Sequence, residues 1–229
     1  STPVKIVEIM GRHAGWLTAA TALAKEGKEE AAPDLIYVPE RAFCIERFLA
    51  DVRQTFQERG HCVVALSEGI HDAAGNLIST TSAATDAFGH RQLGGASVYL
   101  SQLVNEELGL KSRFEKPDTL QRSMMICASQ VDLNEAYMVG RMAVRHMMEG
   151  ASGKMVTLVR APGPAYYCTT GLADLRAVAE EERLLPAEFL DDRGHPNAAF
   201  SAYALPLAGG LLPPYTQLTG HPVPRLLGE

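Results

Sequence analysis

The stretch VKIVEIMGRHAGWLTAATALAK, residues 4–25, runs from an apolar segment through a short glycine-containing turn into a series of small and apolar residues. We predict a strand over residues 5–10 and a helix over residues 15–25, which Gly27 would end. The glycines of the turn let a ligand approach the backbone, and the free N–H groups at the start of the next helix attract an anion. The turn is therefore either a phosphate-type site around Arg12 or an ordinary tight connection with an exposed arginine.

Strands and helices continue to alternate after this turn. Short apolar runs predict strands at residues 34–39 and 62–67, and apolar residues at helical spacing predict a helix over residues 44–59 with a glycine cap. Further strands are predicted at residues 112–115 and 154–159, and further helices at residues 98–108, 132–149 and 172–183. Asp132 and Glu135 form a capping-box-like start for the second of these helices. The alternation predicts an α/β fold with a parallel three-layer, Rossmann-like sheet.

The composition and charge argue against several classes of protein. Hydrophobic residues make up 46% of the 229 residues, which is enough for a sizeable buried core. The formal net charge of −6 argues against a general nucleic-acid or membrane-surface binder, and no apolar run is long enough to cross a bilayer. The four cysteines are widely spaced without a Cys-x-x-Cys pair, as expected of buried thiols in a reducing compartment. We therefore expect a cytoplasmic protein.

Charged residues follow several of the predicted strands. In open α/β sheets, ligands bind beyond the carboxyl ends of the strands, where Arg12, Glu40 and Glu68 stand. Arg113 and Arg122 flank a short loop, and guanidinium groups suit phosphate oxygens, although two exposed surface arginines would give the same pattern. The histidines lack zinc-type spacing and the sequence has no P-loop, so neither a metal site nor a P-loop nucleotide site is predicted.

Five motifs, taken in order, resemble those of the 6-phosphofructokinase family. They are VEIMGRHAGWL (7–17), DLIYVPE (34–40), VVALSEG (63–69), LQRS (120–123) and DLNEAYMVGRMAV (132–144). The resemblance covers roughly residues 4–160 and implies a sheet of the phosphofructokinase type. It also implies a fructose 6-phosphate-binding α/β domain at residues 1–160, followed by a helical and irregular extension at residues 161–229.

The resemblance implies roles for the residues of the first turn. In the family, a Met-Gly-Arg turn contacts fructose 6-phosphate, which here corresponds to Met10, Gly11 and Arg12. Arg12 is the implied catalytic residue, because the arginine of the family lies near the transferred phosphoryl group. Glu68 corresponds to the glutamate that ends the third strand and binds sugar hydroxyls.

A second set of residues is implied to bind the 6-phosphate. Arg113 corresponds to an arginine that reaches the 6-phosphate bound by a neighbouring subunit. The stretch that binds this phosphate within the subunit corresponds to Thr119, Leu120, Gln121 and Arg122, of which Arg122 holds the phosphate. Two departures are visible. Thr119 stands where the family has His or Tyr, and the second cross-subunit arginine of many members has only Lys5 nearby.

The resemblance implies an activity that this chain does not carry alone. The implied reaction is phosphoryl transfer to the 1-hydroxyl of fructose 6-phosphate, giving fructose 1,6-bisphosphate, the first committed step of glycolysis. The donor loop of the family (Gly-Gly-Asp-Gly or Gly-Gly-Asp-Asp) and its Thr-x-Asp-x-Asp base motif do not occur in this sequence. We therefore expect an inactive fragment without its N-terminal donor-binding half. Mg²⁺ is expected to bind mainly through that half, and a homodimer or homotetramer with a shared sugar-phosphate site is implied.

Three interpretations of the phosphoryl donor and of the protein's role stay open. The loop DAFGHRQLGG (86–95) and the segment FSAYALPLAGGLLP (200–213) look more like the pyrophosphate-dependent branch of the family. An ATP-dependent 6-phosphofructokinase is the first alternative. A non-catalytic phosphosugar-binding or regulatory subunit is the second, because such a protein could keep the acceptor pocket without donor motifs.

Overall fold

The computed structural model describes residues 2–25, 28, 30–78, 95–163, 165–179 and 181–209. Three predicted features fall wholly or partly outside these residues. Gly27, the predicted helix stop, is outside them. So are residues 86–94 of the loop and residues 210–213 of the later segment that suggested the pyrophosphate-dependent branch.

The central sheet consists of four parallel strands in the order β2–β3–β1–β4. They are β1 (Val4–Ile9), β2 (Leu35–Tyr37), β3 (Cys62–Ser67) and β4 (Ser112–Glu115). Val4 on the central strand β1 lies opposite Cys62 of β3, and Lys5 lies opposite Arg113 of β4. The parallel α/β sheet predicted from the sequence is therefore confirmed, because all four strands lie at the predicted positions.

Two amphipathic helices cover one face of this sheet. They are α2 (Ile45–Arg59) and α3 (Ala96–Leu108), whose apolar side chains pack on Val4, Ile6 and Val64 of the strands. Helix α2 ends at Gly60, the predicted glycine cap, which has a φ of 74° and donates its N–H to the carbonyl of Phe56. This left-handed conformation is easily adopted only by glycine, which explains why the helix stops there.

The other face is covered by the start and the end of the described chain. The predicted helix at residues 15–25 forms as α1 (Trp16–Ala20) followed by a 3₁₀ helix (Thr21–Lys25). Together with later residues, α1 makes a second apolar layer of Ala19, Ile36, Val38, Ala65, Leu185, Leu190, Phe200 and Ala204. Helices on both faces complete the predicted three-layer arrangement.

A second, smaller sheet corrects one prediction. After α4 (Leu120–Ser123), a 3₁₀ helix (Met125–Cys127) and α5 (Gln130–Met148), the strands β5 (Lys154–Arg160) and β6 (Cys168–Asp174) form an antiparallel hairpin. The predicted helix at residues 172–183 is wrong, since only Leu175–Val178 (α6) are α-helical among the described residues of that range. Leu172, Leu175 and Val178 have helical spacing, but pairing with β5 takes the first of them into a strand. A last helix, α7 (Ala198–Ala204), follows.

The start of α5 also differs from the prediction. Ser129 is the N-cap residue, and its hydroxyl oxygen accepts a hydrogen bond from the N–H of Val131 at 3.2 Å. The predicted capping box of Asp132 and Glu135 does not form, because the carboxylate of Glu135 is buried and accepts from the hydroxyl of Tyr166 instead. A serine at the N-cap satisfies the helix start equally well.

The cysteines are less buried than the sequence suggested. All four are free thiols, but only Cys62 is buried, while Cys44 and Cys127 are exposed and Cys168 is intermediate. Burial raises the pKa of the Cys62 thiol to about 12. Cys44 precedes α2 and Cys127 ends a surface 3₁₀ helix, which explains their exposure. Among the described residues, no helix is long and apolar enough to span a membrane.

Candidate functional site

The turn after β1 is held by close approach of two backbone segments. A Cβ atom on Gly69 would lie 1.6 Å from the carbonyl oxygen of Arg12, and one on Gly11 would lie 2.8 Å from that of Ala14. No side chain fits at either distance. Arg12 itself has a φ of 45°, which is uncommon for a residue other than glycine. The two glycines therefore allow the turn to close over the end of β3.

Glu68 fixes this turn from the neighbouring strand. Its Oε1 accepts hydrogen bonds from the backbone N–H groups of Gly11 at 3.0 Å and Arg12 at 3.2 Å. Its own N–H donates to the carbonyl of Ile9 at 2.9 Å. The half-buried carboxylate thus keeps Oε2, which accepts no hydrogen bond within the part of the chain that the structure describes. One carboxylate oxygen therefore shapes the turn.

Helix α4 approaches the same turn from the other side. Oε1 of Gln121 accepts the N–H of Met10 at 3.0 Å, and Nε of Arg122 lies 3.1 Å from the sulfur of Met10. Thr119 starts this helical turn, and its carbonyl oxygen accepts the N–H of Arg122. Leu120 is exposed beside a cleft of about 900 Å³ that Gln121 and Arg122 also line. The predicted stretch at residues 119–122 therefore does meet the Met-Gly-Arg turn.

Arg113 is not part of this cluster. It lies on the edge strand β4, opposite Lys5 of β1. Lys5 precedes Met10 by five residues. At about 3.3 Å per residue, that offset is about 16 Å along the strand. The exposed side chain of Arg113 therefore belongs to the far end of the sheet. Its contact with a neighbouring subunit stays a prediction.

A buried glutamate that was not predicted as a site residue lies on β1, two residues before Met10. Glu8 on β1 is 1% exposed, and its Oε2 accepts from the N–H of Ser97 at 2.9 Å and from its hydroxyl at 2.7 Å. Its Oε1 lies 3.2 Å from the N–H of Gly95 and 3.2 Å from Nζ of Lys116. Burial raises the pKa of Glu8, but the bonds from Ser97 and the charge of Lys116 outweigh burial and lower it.

A signal for Glu8 was present in the sequence. Residues 4, 6 and 8 alternate along VKIVEI and share one face of β1, so a glutamate in this series faces the core. A buried carboxylate needs partners. The partners lie about ninety and more residues away along the chain, so no local pattern could name them.

Glu40, which also follows a predicted strand, has a structural position. Its Oε1 accepts the N–H of Gly15 at 2.8 Å and the N–H of Leu185 at 2.7 Å. Gly15 is the N-cap residue of α1, so the carboxylate satisfies the start of that helix. Glu40 therefore joins the helix after the turn to the C-terminal part of the chain.

The residues just before Leu185 border the turn as well. The carboxylate of Glu182 lies 3.0 Å from Nδ1 of His13, and Nε1 of Trp16 donates to the carbonyl of Arg183 at 2.7 Å. The guanidinium of Arg183 stacks over Trp16, 5.6 Å from the ring centroid. Nothing in the composition of this segment connects it to a turn some 170 residues earlier, so the sequence alone does not predict the contact.

The assembled site can bind an anionic, hydroxyl-bearing ligand. Arg12 and Arg122 provide positive charge, and Glu68 provides an acceptor for hydroxyl groups. No group of three or more His, Cys, Asp or Glu residues suited to a metal ion occurs among the described residues. These groups meet beyond the carboxyl ends of β1 and β3.

Comparisons with known proteins agree with this arrangement. Residues 1–147 match the family model described as Phosphofructokinase. The pyrophosphate–fructose 6-phosphate 1-phosphotransferase of Xanthomonas campestris pv. campestris (strain B100) is 44% identical over 194 residues, which are 85% of this chain and 46% of that protein. The sulfofructose kinase of Alkalicoccus urumqiensis is 37% identical over 191 residues, which are 83% of this chain and 48% of that protein.

A solved structure is similar along nearly the whole chain. The crystal structure of a pyrophosphate-dependent phosphofructokinase from Marinobacter aquaeolei matches 98% of this chain and 55% of that chain, with a TM-score of 0.78 and 32% identity. The chain thus spans about half the length of the relatives that it matches. The resemblance drawn from the five motifs is confirmed: this chain belongs to the phosphofructokinase family.

Proposed function

We propose that this chain forms the sugar-phosphate half of an enzyme that phosphorylates the 1-hydroxyl of fructose 6-phosphate. The observation that carries the proposal is the meeting of three elements at one edge of the sheet. These are the Met-Gly-Arg turn at residues 10–12, the carboxylate of Glu68 and the helical turn with Gln121 and Arg122. Each is an element that the family resemblance assigns to the acceptor sugar.

The roles follow from the geometry and from the chemistry of phosphoryl transfer. This reaction needs positioned reactants and positive charge around the transferred group more than it needs covalent chemistry. Oε2 of Glu68 accepts from sugar hydroxyls while Oε1 holds the turn. Arg122 pairs with the 6-phosphate, and Arg12 stabilises the charge that develops during transfer.

The donor and the general base come from outside this chain. Mg²⁺, which the family resemblance assigns mainly to the donor-binding half, is proposed to reach the site together with the donor. Pyrophosphate is the proposed donor, supported by the names of the relatives from Xanthomonas and Marinobacter. ATP is the alternative. The proposed enzyme works in the cytoplasm and forms a homodimer or homotetramer. In this oligomer, Arg113 of one subunit reaches the sugar phosphate that is bound by the neighbouring subunit.

The relative from Alkalicoccus suggests a competing acceptor. A sulfofructose kinase is 37% identical to this chain, and a sulfonate is also an anion that arginines bind. Fructose 6-phosphate is favoured because the relative with 44% identity takes its name from that sugar. Titrating one protein preparation with fructose 6-phosphate and with its 6-sulfonate analogue distinguishes the two acceptors.

The experiment is a titration of the purified 229-residue chain by calorimetry, with Trp16 fluorescence as a second signal. Trp16 is the single tryptophan and stands directly after the turn. We expect saturable binding of fructose 6-phosphate, weaker binding of the 6-sulfonate analogue and no fructose 1,6-bisphosphate after adding Mg²⁺ with pyrophosphate or ATP.

A folded chain that binds neither sugar would overturn the acceptor role. Turnover above background would overturn the requirement for a separate donor half, and binding without any turnover in the gene's full product would favour the regulatory-subunit alternative.

A further inference from the structure

A second cavity lies beside the carboxyl end of β2, apart from the cleft next to Arg122. Its volume is about 300 Å³, at the lower end of the range for cavities that hold small molecules. It shares no lining residue with the cleft next to Arg122. The proposed function therefore leaves this cavity without a ligand.

Positive charge is concentrated around the cavity. Three arginines line it, Arg41, Arg47 and Arg193, together with one acidic residue, Asp192. The whole chain carries a formal net charge of −6, so this local excess of arginine is opposite in sign to the overall charge. Arg47 lies 3.9 Å from Asp51. The guanidinium groups of Arg41 and Arg193 make no hydrogen bond or ion pair within the described part of the chain, so both are available to an anion.

A well-bonded loop holds Arg193 at the cavity. Oδ1 of Asp191 accepts the N–H groups of Arg193 at 2.9 Å and of His195 at 2.8 Å. The backbone carbonyl of Asp191 accepts the N–H of Gly194 at 2.9 Å. Nδ1 of His195 accepts the N–H of Ile36 at 3.2 Å, which connects the loop to β2. The position of Arg193 is therefore fixed by its own loop and by the sheet.

Arg41 packs against the same loop. Gly194 has a φ of 87°, and a Cβ atom there would lie 3.2 Å from Cγ of Arg41. Glycine thus lets the loop take its left-handed turn and lets the stem of Arg41 lie against it. The contact places the two arginines that lack partners on neighbouring segments of the cavity wall.

The inner wall of the cavity is apolar. Ile36, Val38 and Phe43 line it and are buried. Guanidinium groups suit phosphate oxygens, and buried apolar side chains suit a carbon skeleton. We propose that this cavity binds a phosphate monoester of a small organic molecule. The phosphoryl group lies on Arg41 and Arg193, and the carbon skeleton lies against the apolar wall.

Alkylation of Cys44 tests the proposal. Cys44 is exposed and lines the cavity, whereas Cys127 is exposed elsewhere and Cys62 is fully buried. The full 229-residue chain with Arg122→Ala, which removes the proposed phosphate ligand of the sugar site, is treated with iodoacetamide. Mass spectrometry then quantifies the reaction of each cysteine. Glycerol 3-phosphate is the probe, and sodium chloride keeps the ionic strength constant.

We expect the probe to protect Cys44 alone. Cys44 should react roughly tenfold more slowly when the probe is at about ten times its Kd, because the occupied cavity excludes the reagent. Cys127 should react at an unchanged rate. Inorganic phosphate, which lacks the carbon skeleton, should protect Cys44 only at higher concentration.

Two matched variants identify the arginines. Combining Arg41→Gln with Arg193→Gln keeps long polar side chains and removes both charges, so the Kd of the probe should rise at least about tenfold. Arg53→Gln removes an exposed charge of α2 outside the cavity and should leave the protection unchanged. Cys62 should stay unreactive in every variant, which reports an intact fold. If the double variant exposes Cys62, the two single variants are measured in its place.

Four results would overturn the site. They are the absence of protection at millimolar probe, protection that chloride alone reproduces, protection that extends to Cys127, and protection that persists without the two arginine charges. Equal protection by inorganic phosphate and glycerol 3-phosphate would overturn the ester and identify the free phosphate ion as the ligand. All measurements use the Arg122→Ala chain, so the outcome is independent of fructose 6-phosphate binding.

Discussion

Glu68 at the end of β3 accepts the backbone N–H of Gly11 at 3.0 Å. The carboxylate expected to read the sugar is thus also the group that shapes the turn beside it. The proposed double use is compatible with its two oxygens, since only Oε1 is taken by Gly11 and Arg12. A ligand that binds Oε2 therefore meets a turn that is already held in place.

The two uses of Glu68 can be separated by two substitutions. Glu68→Gln keeps an oxygen for the turn and loses the charged acceptor for the sugar, so the Kd for fructose 6-phosphate should rise about tenfold, or 1.4 kcal/mol. Its free energy of unfolding should change by only about 0.5 kcal/mol. Glu68→Ala leaves two N–H groups without an acceptor and should cost about 1–3 kcal/mol of stability.

Calorimetric titration and urea unfolding measure the two effects. Equal affinity of Glu68→Gln and the parent chain would show that Glu68 does not bind the sugar. In an active enzyme, the same substitution should raise the KM for the sugar and leave the KM for the donor unchanged.

Arg122 should dominate the affinity for the phosphate group. A charge-assisted hydrogen bond contributes roughly 1.5–3 kcal/mol, so Arg122→Ala should weaken fructose 6-phosphate binding about 10- to 100-fold. Arg53→Ala, which removes an exposed arginine from α2, is the control and should have no effect.

Arg113 makes a different prediction because it lies at the far end of the sheet. In the intact oligomer, Arg113→Ala should weaken binding through the neighbouring subunit. Mixing Arg113→Ala and Arg122→Ala subunits should then restore some complete sites. Mixed oligomers with no recovered activity would argue against a shared pocket.

Gly69 tests the close approach of the turn to β3. A methyl group there would lie 1.6 Å from the carbonyl oxygen of Arg12, so Gly69→Ala must displace the turn. We expect a loss of at least about 1–3 kcal/mol in unfolding free energy, as for other overpacked sites, together with loss of sugar binding. Gly140→Ala is the control, because nothing lies within 4 Å of that added Cβ on α5. It should stabilise the chain by about 0.5–1 kcal/mol. Urea unfolding of a Gly69→Ala variant as stable as the parent would mean that the turn has another conformation.

Glu8 should make stability depend on pH. Its pKa is lower in the folded chain than in the unfolded chain, so it stabilises the fold above its unfolded pKa, and this contribution disappears as the pH falls through the folded value. Glu8→Gln should cost about 1–3 kcal/mol at pH 7 and much less in acid, because Lys116 and Ser97 lose a charged acceptor. Urea unfolding between pH 7 and pH 3 measures this, with the exposed Glu106→Gln as control. An equal loss at every pH would contradict a charged Glu8.

Much of the fold could be predicted because β1, β2 and β3 are short apolar runs and the helices between them have regular apolar spacing. Strand β3 and the end of α2 at Gly60 lie where the pattern placed them. The error at β6 arose because Leu172 and Leu175 have helical spacing, whereas Leu172 is held in a strand by its pairing with Val156 of β5, a contact across the hairpin.

The site was predictable only where motifs named its residues. The meeting of Met10 with Gln121 joins residues 111 positions apart, and only the resemblance to a family brought them together beforehand. The contact of Glu68 with the turn, the network around Glu8 and the packing of Arg183 on Trp16 depend on side-chain geometry that no spacing encodes.

The most direct test of the account is a crystal structure of this chain with fructose 6-phosphate. We predict that the 6-phosphate lies within hydrogen-bond distance of the guanidinium of Arg122, that sugar hydroxyls donate to Oε2 of Glu68, and that the 1-hydroxyl points toward Arg12 and open solvent. A sugar phosphate bound elsewhere on the chain, with Arg122 and Glu68 free of it, would contradict the assignment of this edge of the sheet as the acceptor site.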